Sequence, residues 1–262
     1  MGAADGPLKA AIARQEAITP HLLALVERAT REIDRIAADE TYMGHLYAFF
    51  LLAQFRERRA YPLIVDFFSV PGDVTLEVTG DFVTESLGQV LGSVSEGDVG
   101  PMLALAEDAA VNGYVRAGAL DGLLCLFVEG VRRREEIIAI FRSLFRGGLE
   151  REHSVAWVGL VSASTSLYPE ELMEEIRWAF AEDLIDEWYI DPEWPEEILA
   201  RGKEEALTSL HENPYYHFVE DTIAEMEWWS CFEPVPARVG RDDPCPCGSG
   251  LTYRYCCWTP TA

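Results

Sequence analysis

The sequence predicts an all-α fold: an α-α superhelix of HEAT- or armadillo-like helical hairpins, closed by a small C-terminal zinc knuckle. Three observations predict it. Apolar stripes at helical spacing recur along most of the first 230 residues, prolines punctuate helix starts at repeat-like intervals, and four cysteines fall within thirteen residues near the C-terminus. A chain of 262 residues, 49% of them hydrophobic, can bury a sizeable core.

Proline at the first turn of a helix loses no hydrogen bond. Thr19-Pro20, Tyr61-Pro62, Gly100-Pro101, Tyr168-Pro169 and Trp194-Pro195 are therefore expected helix starts, the last two followed by glutamate pairs that favour a helix N-terminus. The alternating run Val74-Thr-Leu-Glu-Val78, between Pro71-Gly72 and Gly80, is expected to be a loop or short extended segment. Tyr114 to Val128 is apolar on nearly all sides apart from Arg116 and Asp121, as a buried inner helix would be. Its opening, Tyr114-Val-Arg-Ala-Gly-Ala-Leu120, looks like the inner helix of a HEAT unit. Glu135 to Phe145 places Ile137, Ile138, Phe141, Leu144 and Phe145 on one helix face, and Leu172, Ile176, Ala179 and Phe180 repeat that geometry. Pro62 to Pro101 spans 39 residues and Pro101 to Pro169 spans 68, close to two units of a two-helix repeat.

The formal net charge is −24 and unevenly placed. Glu170 to Ser230 carries 19 acidic residues against Arg177, Arg201 and Lys203, a net of −16. A field of that sign repels phosphate backbones, so the body is not expected to bind nucleic acid; it suits a basic protein partner or, more plainly, a solvated helix surface. The longest apolar stretch, Leu46 to Ala53, is far shorter than the roughly 20 residues of a membrane span. No secretory signal is visible, and the expectation is a cytoplasmic protein.

Cys245, Cys247, Cys256 and Cys257 have the spacing C-x-C-x8-C-C. Thiolates are soft ligands, and four of them suit tetrahedral Zn²⁺ at roughly 2.3 Å per Zn–S bond. Pro246 shapes a tight turn between the first two, and Gly248 and Gly250 let the chain fold back so that backbone N–H groups can face the sulfurs. Four protein ligands leave no open position for water, so the expected site is structural. The rival reading, a pair of disulfides, belongs to an oxidising compartment.

Other residues carry a functional and a plain reading. Glu182-Asp-Leu-Ile-Asp-Glu187 places carboxylates on one face if helical, where they could hold a hard cation or simply meet water. Glu150 and His153 form a lone Glu-x-x-His, expected to be a surface pair because no second such pair exists. His211 and His217 flank a turn at Asn213-Pro214-Tyr215-Tyr216; a ligand or acid–base role competes with a structural one. Cys125 is expected to be a core thiol. Cys231 is a buried or redox-active linker cysteine, and Trp228, Trp229 and Phe232 are expected to pack the last helix. No Gly-x-Ser-x-Gly, P-loop, Gly-x-Gly-x-x-Gly or His-Glu-x-x-His occurs in the sequence.

The run from Pro244 to Cys257 resembles the SEC-C motif, the zinc-binding knuckle found at the C-terminus of the preprotein translocase ATPase SecA, with the pattern P-C-P-C-G-S-G-K-K-Y-K-x-C-[CH]. Pro244, Cys245, Pro246, Cys247, Gly248, Ser249, Gly250, Tyr253, Cys256 and Cys257 match it. Leu251 and Thr252 stand where the family has lysines, and Arg254 fills the third basic position. The segment from about Leu8 to Phe232 resembles a bacterial family known as domain of unknown function 1186, through Leu8 to Pro20, Gly80 to Thr84, Ala200 to Lys203 and Phe218 to Phe232. That resemblance implies an α-α superhelix and no known activity.

The expected organisation is a helical body over 1–232, a linker over 233–240 and the knuckle over 241–262. The expected function is a cytoplasmic, non-catalytic adaptor, its body offering a protein-binding surface and its knuckle docking on a second macromolecule. The alternatives are an enzyme of unrecognised type, with its site near Glu182–Glu187 and His211–His217, and a ribosome- or RNA-associated factor acting through Arg238, Arg241 and Arg254 of the tail.

Overall fold

The computed structural model describes residues 5–39, 41–227, 229 and 252. Among them the protein is all-α, with no named strand and an isolated parallel bridge between Gly72 and Val111. The N-terminal helices are α1 (Asp5–Ile12), α2 (Gln15–Arg31), α3 (Ile33–Ala37), α4 (Gly44–Gln54), α5 (Ala60–Phe68), α6 (Val74–Thr79), α7 (Phe82–Glu85) and α8 (Leu87–Val94). They are followed by α9 (Gly100–Glu107), α10 (Gly113–Val128), α11 (Arg134–Ser143), α12 (Val155–Ser166), α13 (Met173–Ala181), α14 (Trp194–Arg201), α15 (Lys203–Glu212) and α16 (Thr222–Met226). A π-turn over Leu144–Gly148 extends α11, and 3-10 turns cover Glu170–Leu172 and Pro214–Tyr216.

The described residues divide between two compact units, one within 11–222 and one within 1–10 and 223–262. In the smaller unit Leu8 and Met226 are buried. The larger unit is organised around α10, which packs on α7, α8, α9 and α12. Covered on several sides, α10 has no solvent stripe to keep polar, which is why its sequence is apolar all round. Val115, Ala119, Leu120, Leu123, Leu124, Cys125 and Leu126 are each at most 1% exposed. Each large aliphatic side chain so buried contributes about 1.5–3 kcal/mol. Asn112 starts the helix, its side-chain oxygen accepting from Tyr114 N–H at 2.8 Å. Gly159 of α12 lets that helix come close: a Cβ there would lie 2.5 Å from Ala117 Cβ and 2.8 Å from its Cα.

A second part of the core is aromatic. Phe49, Phe50, Phe67, Phe68 and Phe82 are fully or nearly fully buried, with centroid separations of 5.0–6.0 Å among the contacting pairs. Among the described residues no helix is long and apolar enough to cross a membrane.

Three local expectations are corrected. Val74–Thr79 is a helix: Thr75 and Thr79, four apart, are its buried residues, and Gly80 stops it at φ 54°. A five-residue run matches period two and period 3.6 about equally, and the four-residue spacing prevailed. Pro20 lies inside α2, which begins at Gln15. Glu16 and Pro20 are both exposed, so the Glu16 carbonyl that loses its amide partner lies on the outer surface of the helix. Glu182–Glu187 is not helical. Asp183 takes φ 56°, Asp183 N–H bonds the Phe180 carbonyl and Leu184 N–H the Ala179 carbonyl, which closes α13 in a Schellman motif and buries Leu184 and Ile185.

Candidate functional site

The four cysteines expected to bind zinc, Cys245, Cys247, Cys256 and Cys257, lie outside the described residues, as do Cys231, Trp228, Phe232, Arg238, Arg241 and Arg254. Of the remaining candidates, Trp229 lies in the smaller unit and the others in the larger one.

The carboxylates of Glu182–Glu187 share no helix face. Glu182, Asp183 and Glu187 are exposed in the turn after α13, and Asp186 accepts from Trp188 N–H at 2.9 Å, stabilising that turn. No hydrogen bond or ion pair among the described residues links this turn to His211 or His217.

The two histidines do come together. His217 faces Glu129 Oε1 through Nδ1 at 3.0 Å and donates from Nε2 to the His211 carbonyl at 2.8 Å. The His211 ring packs edge-on against Phe127, with its Nδ1 2.7 Å from the Leu207 carbonyl. Glu129 also accepts from Phe218 N–H at 3.2 Å. The cluster fastens the segment after α15 to the C-terminus of α10, a structural role.

Glu150 is not part of a surface pair with His153. Both its oxygens receive the guanidinium of Arg116, at 2.6 and 2.5 Å, while Arg116 Nε donates to the Ala106 carbonyl at 2.8 Å. Burial pushes the Glu150 carboxyl up, but the hydrogen bonds it accepts, from Arg116 first and then from main chain, together with the Arg116 charge, hold the group below its usual value. Arg134 repeats the arrangement, gripping Glu171 at 2.6 Å through both terminal nitrogens and donating from Nε to the Leu167 carbonyl at 2.6 Å. Hydrogen bonds from Arg134 lower Glu171 to about 2. Each arginine thus places positive charge at the C-terminal end of a helix, α9 for Arg116 and α12 for Arg134, where carbonyls lack partners. Arg116 stood out in the sequence as a charge on an apolar helix; its partner, 34 residues on, carried no such mark.

Two buried titratable groups also stand apart. His45 is fully buried and donates from Nε2 to the Val78 carbonyl at 2.9 Å; burial lowers its pKa, against the hydrogen bond to Val78. Asp121 borders a cavity of about 110 Å³ shared with Thr84, Glu85, Gly88, Tyr215 and Tyr216. It keeps a fringe of exposure through that cavity, and burial raises its carboxyl to about 7. Glu85 is raised too, by burial and then by the charge of Asp81. Cys125, one helical turn along α10, is a core thiol, its pKa pushed well up by burial and then by Asp121 and Glu129.

Comparison with known proteins gives two matches along the chain. The family described as "Protein of unknown function (DUF1186)" matches residues 5–233, and the SEC-C motif matches residues 242–259. Uncharacterized proteins of Chlamydia muridarum and Chlamydia trachomatis are each 40% identical over 224 residues, covering 85% of this chain and 88% of theirs. The protein translocase subunit SecA of Treponema denticola is 75% identical over 20 residues, 8% of this chain and 2% of SecA. The SecA of Burkholderia thailandensis is 50% identical over 42 residues, 14% of this chain and 4% of SecA. No solved structure matches.

Proposed function

This chain belongs to the DUF1186 family and carries a SEC-C motif, and from that premise we propose that it is a zinc-binding, non-catalytic adaptor of the cytoplasm. The observation that carries this reading is the donor set within the motif. Cys245, Cys247, Cys256 and Cys257 supply four soft thiolates and no position for a reacting water, the requirement of a closed structural zinc site. Zinc held there gives a short segment the core that it cannot build from apolar side chains. The body, 1–232, joins the knuckle, 241–262, through the linker 233–240. Its helices are stacked hairpins of the HEAT or armadillo kind, and its acidic stretch favours a basic protein partner by long-range attraction.

The test is affinity capture from extract with the full chain and with a chain lacking residues 233–262, each with and without nuclease and across a salt series. The adaptor reading expects the same protein partner after nuclease treatment, weakened by salt and lost or diminished without the tail. A partner lost to nuclease would move the function to RNA, and capture of nothing by either chain would overturn the reading.

A second reading is favoured by one observation. Asp121, with a pKa of about 7 beside a small cavity, is tuned as a general acid or base would be. An enzyme site on the body would sit there, not at Glu182–Glu187.

A further inference from the structure

The loop between α13 and α14 carries Trp188, 86% exposed, and Tyr189, 47% exposed. Neither is loosely held. Trp188 N–H donates to Asp186 Oδ1 at 2.9 Å and Tyr189 N–H to the Asp186 carbonyl at 2.9 Å, while Leu184, Ile185 and Ile190 are buried on either side. The Tyr189 hydroxyl shares a 2.8 Å hydrogen bond with that of Tyr114, and the Trp188 and Tyr189 rings stand edge to face, 5.5 Å apart at 89°. Two adjacent rings held in place with their faces in water differ from the single apolar side chains scattered over most surfaces, and mark a place of contact. Tyr189 and Asp191 also border a cavity of about 410 Å³, completed by Ser162, Ile190, Trp194 and Glu197.

The charge around these rings is of one sign. Residues 182–197 hold eight acidic side chains and no basic one. Glu196 is paired, with Arg177, but among the described residues Glu187, Asp191, Glu193 and Glu197 have no basic partner. Elsewhere the protein shows which side chain it sets over a ring beside a carboxylate. Arg56 lies 5.0 Å over Phe218 and pairs with Glu220; Arg134 lies 6.0 Å over Tyr168 and pairs with Glu171. The carboxylate follows the ring by two residues in the first case and by three in the second. Asp191 follows Tyr189 by two and Trp188 by three, yet among the described residues no arginine covers either ring. A guanidinium suits both halves of such a place, because it stacks flat on the ring and forks onto the carboxylate. An ammonium is a compact, strongly hydrated charge that does neither as well.

We propose that Trp188, Tyr189 and Asp191 form a docking surface for an arginine-bearing segment of a basic protein partner. The inference rests on the adaptor reading and names its binding face. Charge decides among the occupants. A second copy of this chain brings another −24 and a nucleic acid brings its phosphates, and both meet repulsion here. An arginine side chain meets a ring face, a carboxylate and a cavity with room for it. Asp191 Oδ1 accepts from Glu193 N–H at 2.8 Å, which aims the carboxylate and leaves Oδ2 to the partner. The rings are fixed before the partner arrives, so little ordering opposes the contact.

The probe is a short labelled peptide of alternating arginine and serine, titrated with the full chain beside counterparts in which lysine or citrulline replaces arginine. The arginine peptide is expected to bind about threefold tighter than the lysine peptide, and the citrulline peptide not measurably. Trp188→Ala is expected to weaken binding of the arginine peptide about fivefold, and Asp191→Asn about threefold. Trp188 is too exposed for its loss to threaten the fold. Glu204→Gln with Glu205→Gln, on exposed positions of α15, is the control for the general field and should shift the arginine and lysine peptides alike. Failure of the arginine peptide to bind overturns the proposal, as does equal binding of the citrulline peptide. Equal affinity for arginine and lysine with no effect of Trp188→Ala overturns it too, since the field would then act without the rings. A dimer in sedimentation that Trp188→Ala dissolves would give the rings to a second copy and overturn it as well. Partner capture undiminished by Trp188→Ala would reject this face and leave the adaptor reading in place. Peptide binding as expected by a chain that captures no partner would do the reverse.

Discussion

Arg116 and Glu150 meet in a two-pronged ion pair, at 2.6 and 2.5 Å, with 2% of the arginine side chain and 23% of the glutamate exposed. Removing the carboxylate would leave a buried guanidinium with a single carbonyl partner. Breaking such a pair typically costs 3–5 kcal/mol, and the partial exposure of Glu150 places this one toward the lower end. Glu150→Ala is expected to destabilise the protein by about 3 kcal/mol in urea unfolding. Arg116→Met combined with Glu150→Leu should recover much of that loss; equal instability in single and double variants would show that the pair does not act as a unit.

Asp121 sets a pH dependence whose sign follows from its raised pKa. The native state holds the proton more tightly than the unfolded chain, in which an aspartate ionises near 3.8. Its contribution is therefore complete below about pH 4 and lost as pH rises through about 7. Asp121→Asn removes the term. Relative to wild type, the variant should gain about 1–3 kcal/mol between pH 5 and pH 8, a range that allows for screening at the partly exposed edge. Comparison at each pH cancels other groups, among them Glu171, which titrates lower, and His45, whose depressed pKa works in the opposite direction. A stability difference constant across that range would place Asp121 in water.

Gly159→Ala tests the close approach of α10 and α12. A methyl group favours an isolated helix by about 1 kcal/mol over glycine, but here it would overlap Ala117 at 2.5 Å. Overpacking costs about 1–3 kcal/mol, so once the helix gain is subtracted the net expectation is a loss of up to about 2 kcal/mol in urea unfolding. Ala117→Gly in the same chain removes the 2.5 Å overlap but not the 2.8 Å approach to the Cα, so it should recover part of the loss; an unchanged midpoint for Gly159→Ala alone would mean the helices can part freely.

The zinc assignment is checked by elemental analysis. One zinc per chain is expected for the wild type, and none for the chain carrying Cys256→Ser with Cys257→Ser. Chelation should leave the far-ultraviolet helical signal nearly unchanged, because residues 11–222 form a compact unit around their own core. A cooperative loss of helix on chelation would tie the body to the metal.

The central helix was legible in the sequence because burial on several sides leaves an unmistakable trace, fifteen residues with almost no charge. The all-α class was legible too, from stripes such as Ile137, Ile138 and Phe141, all now buried. What could not be read were features set by distance along the chain or by single backbone angles. Arg116 announced itself but Glu150 did not, since nothing local distinguishes a carboxylate that will meet a guanidinium 34 residues away. Glu182–Glu187 kept helical spacing on paper, and one left-handed residue, Asp183, ended the helix before it. The alternation at Val74 to Val78 misled because five residues cannot separate two periods. His211 and His217 were singled out as a pair, and the structure does join them, yet Glu129, which anchors His217, lies on a different element and had no signature of its own.

The sealed position of Cys125 has a practical consequence for following the metal. Its thiol is buried in α10 and its pKa is pushed well above that of a free cysteine, so it presents almost no thiolate to an attacking reagent. A colorimetric disulfide reagent added to the native protein should therefore miss at least one of the six thiols and report on cysteines outside the core. Zinc release and thiol exposure can then be timed in one cuvette, without a background from Cys125, until denaturant opens α10 and the silent sulfur joins the count.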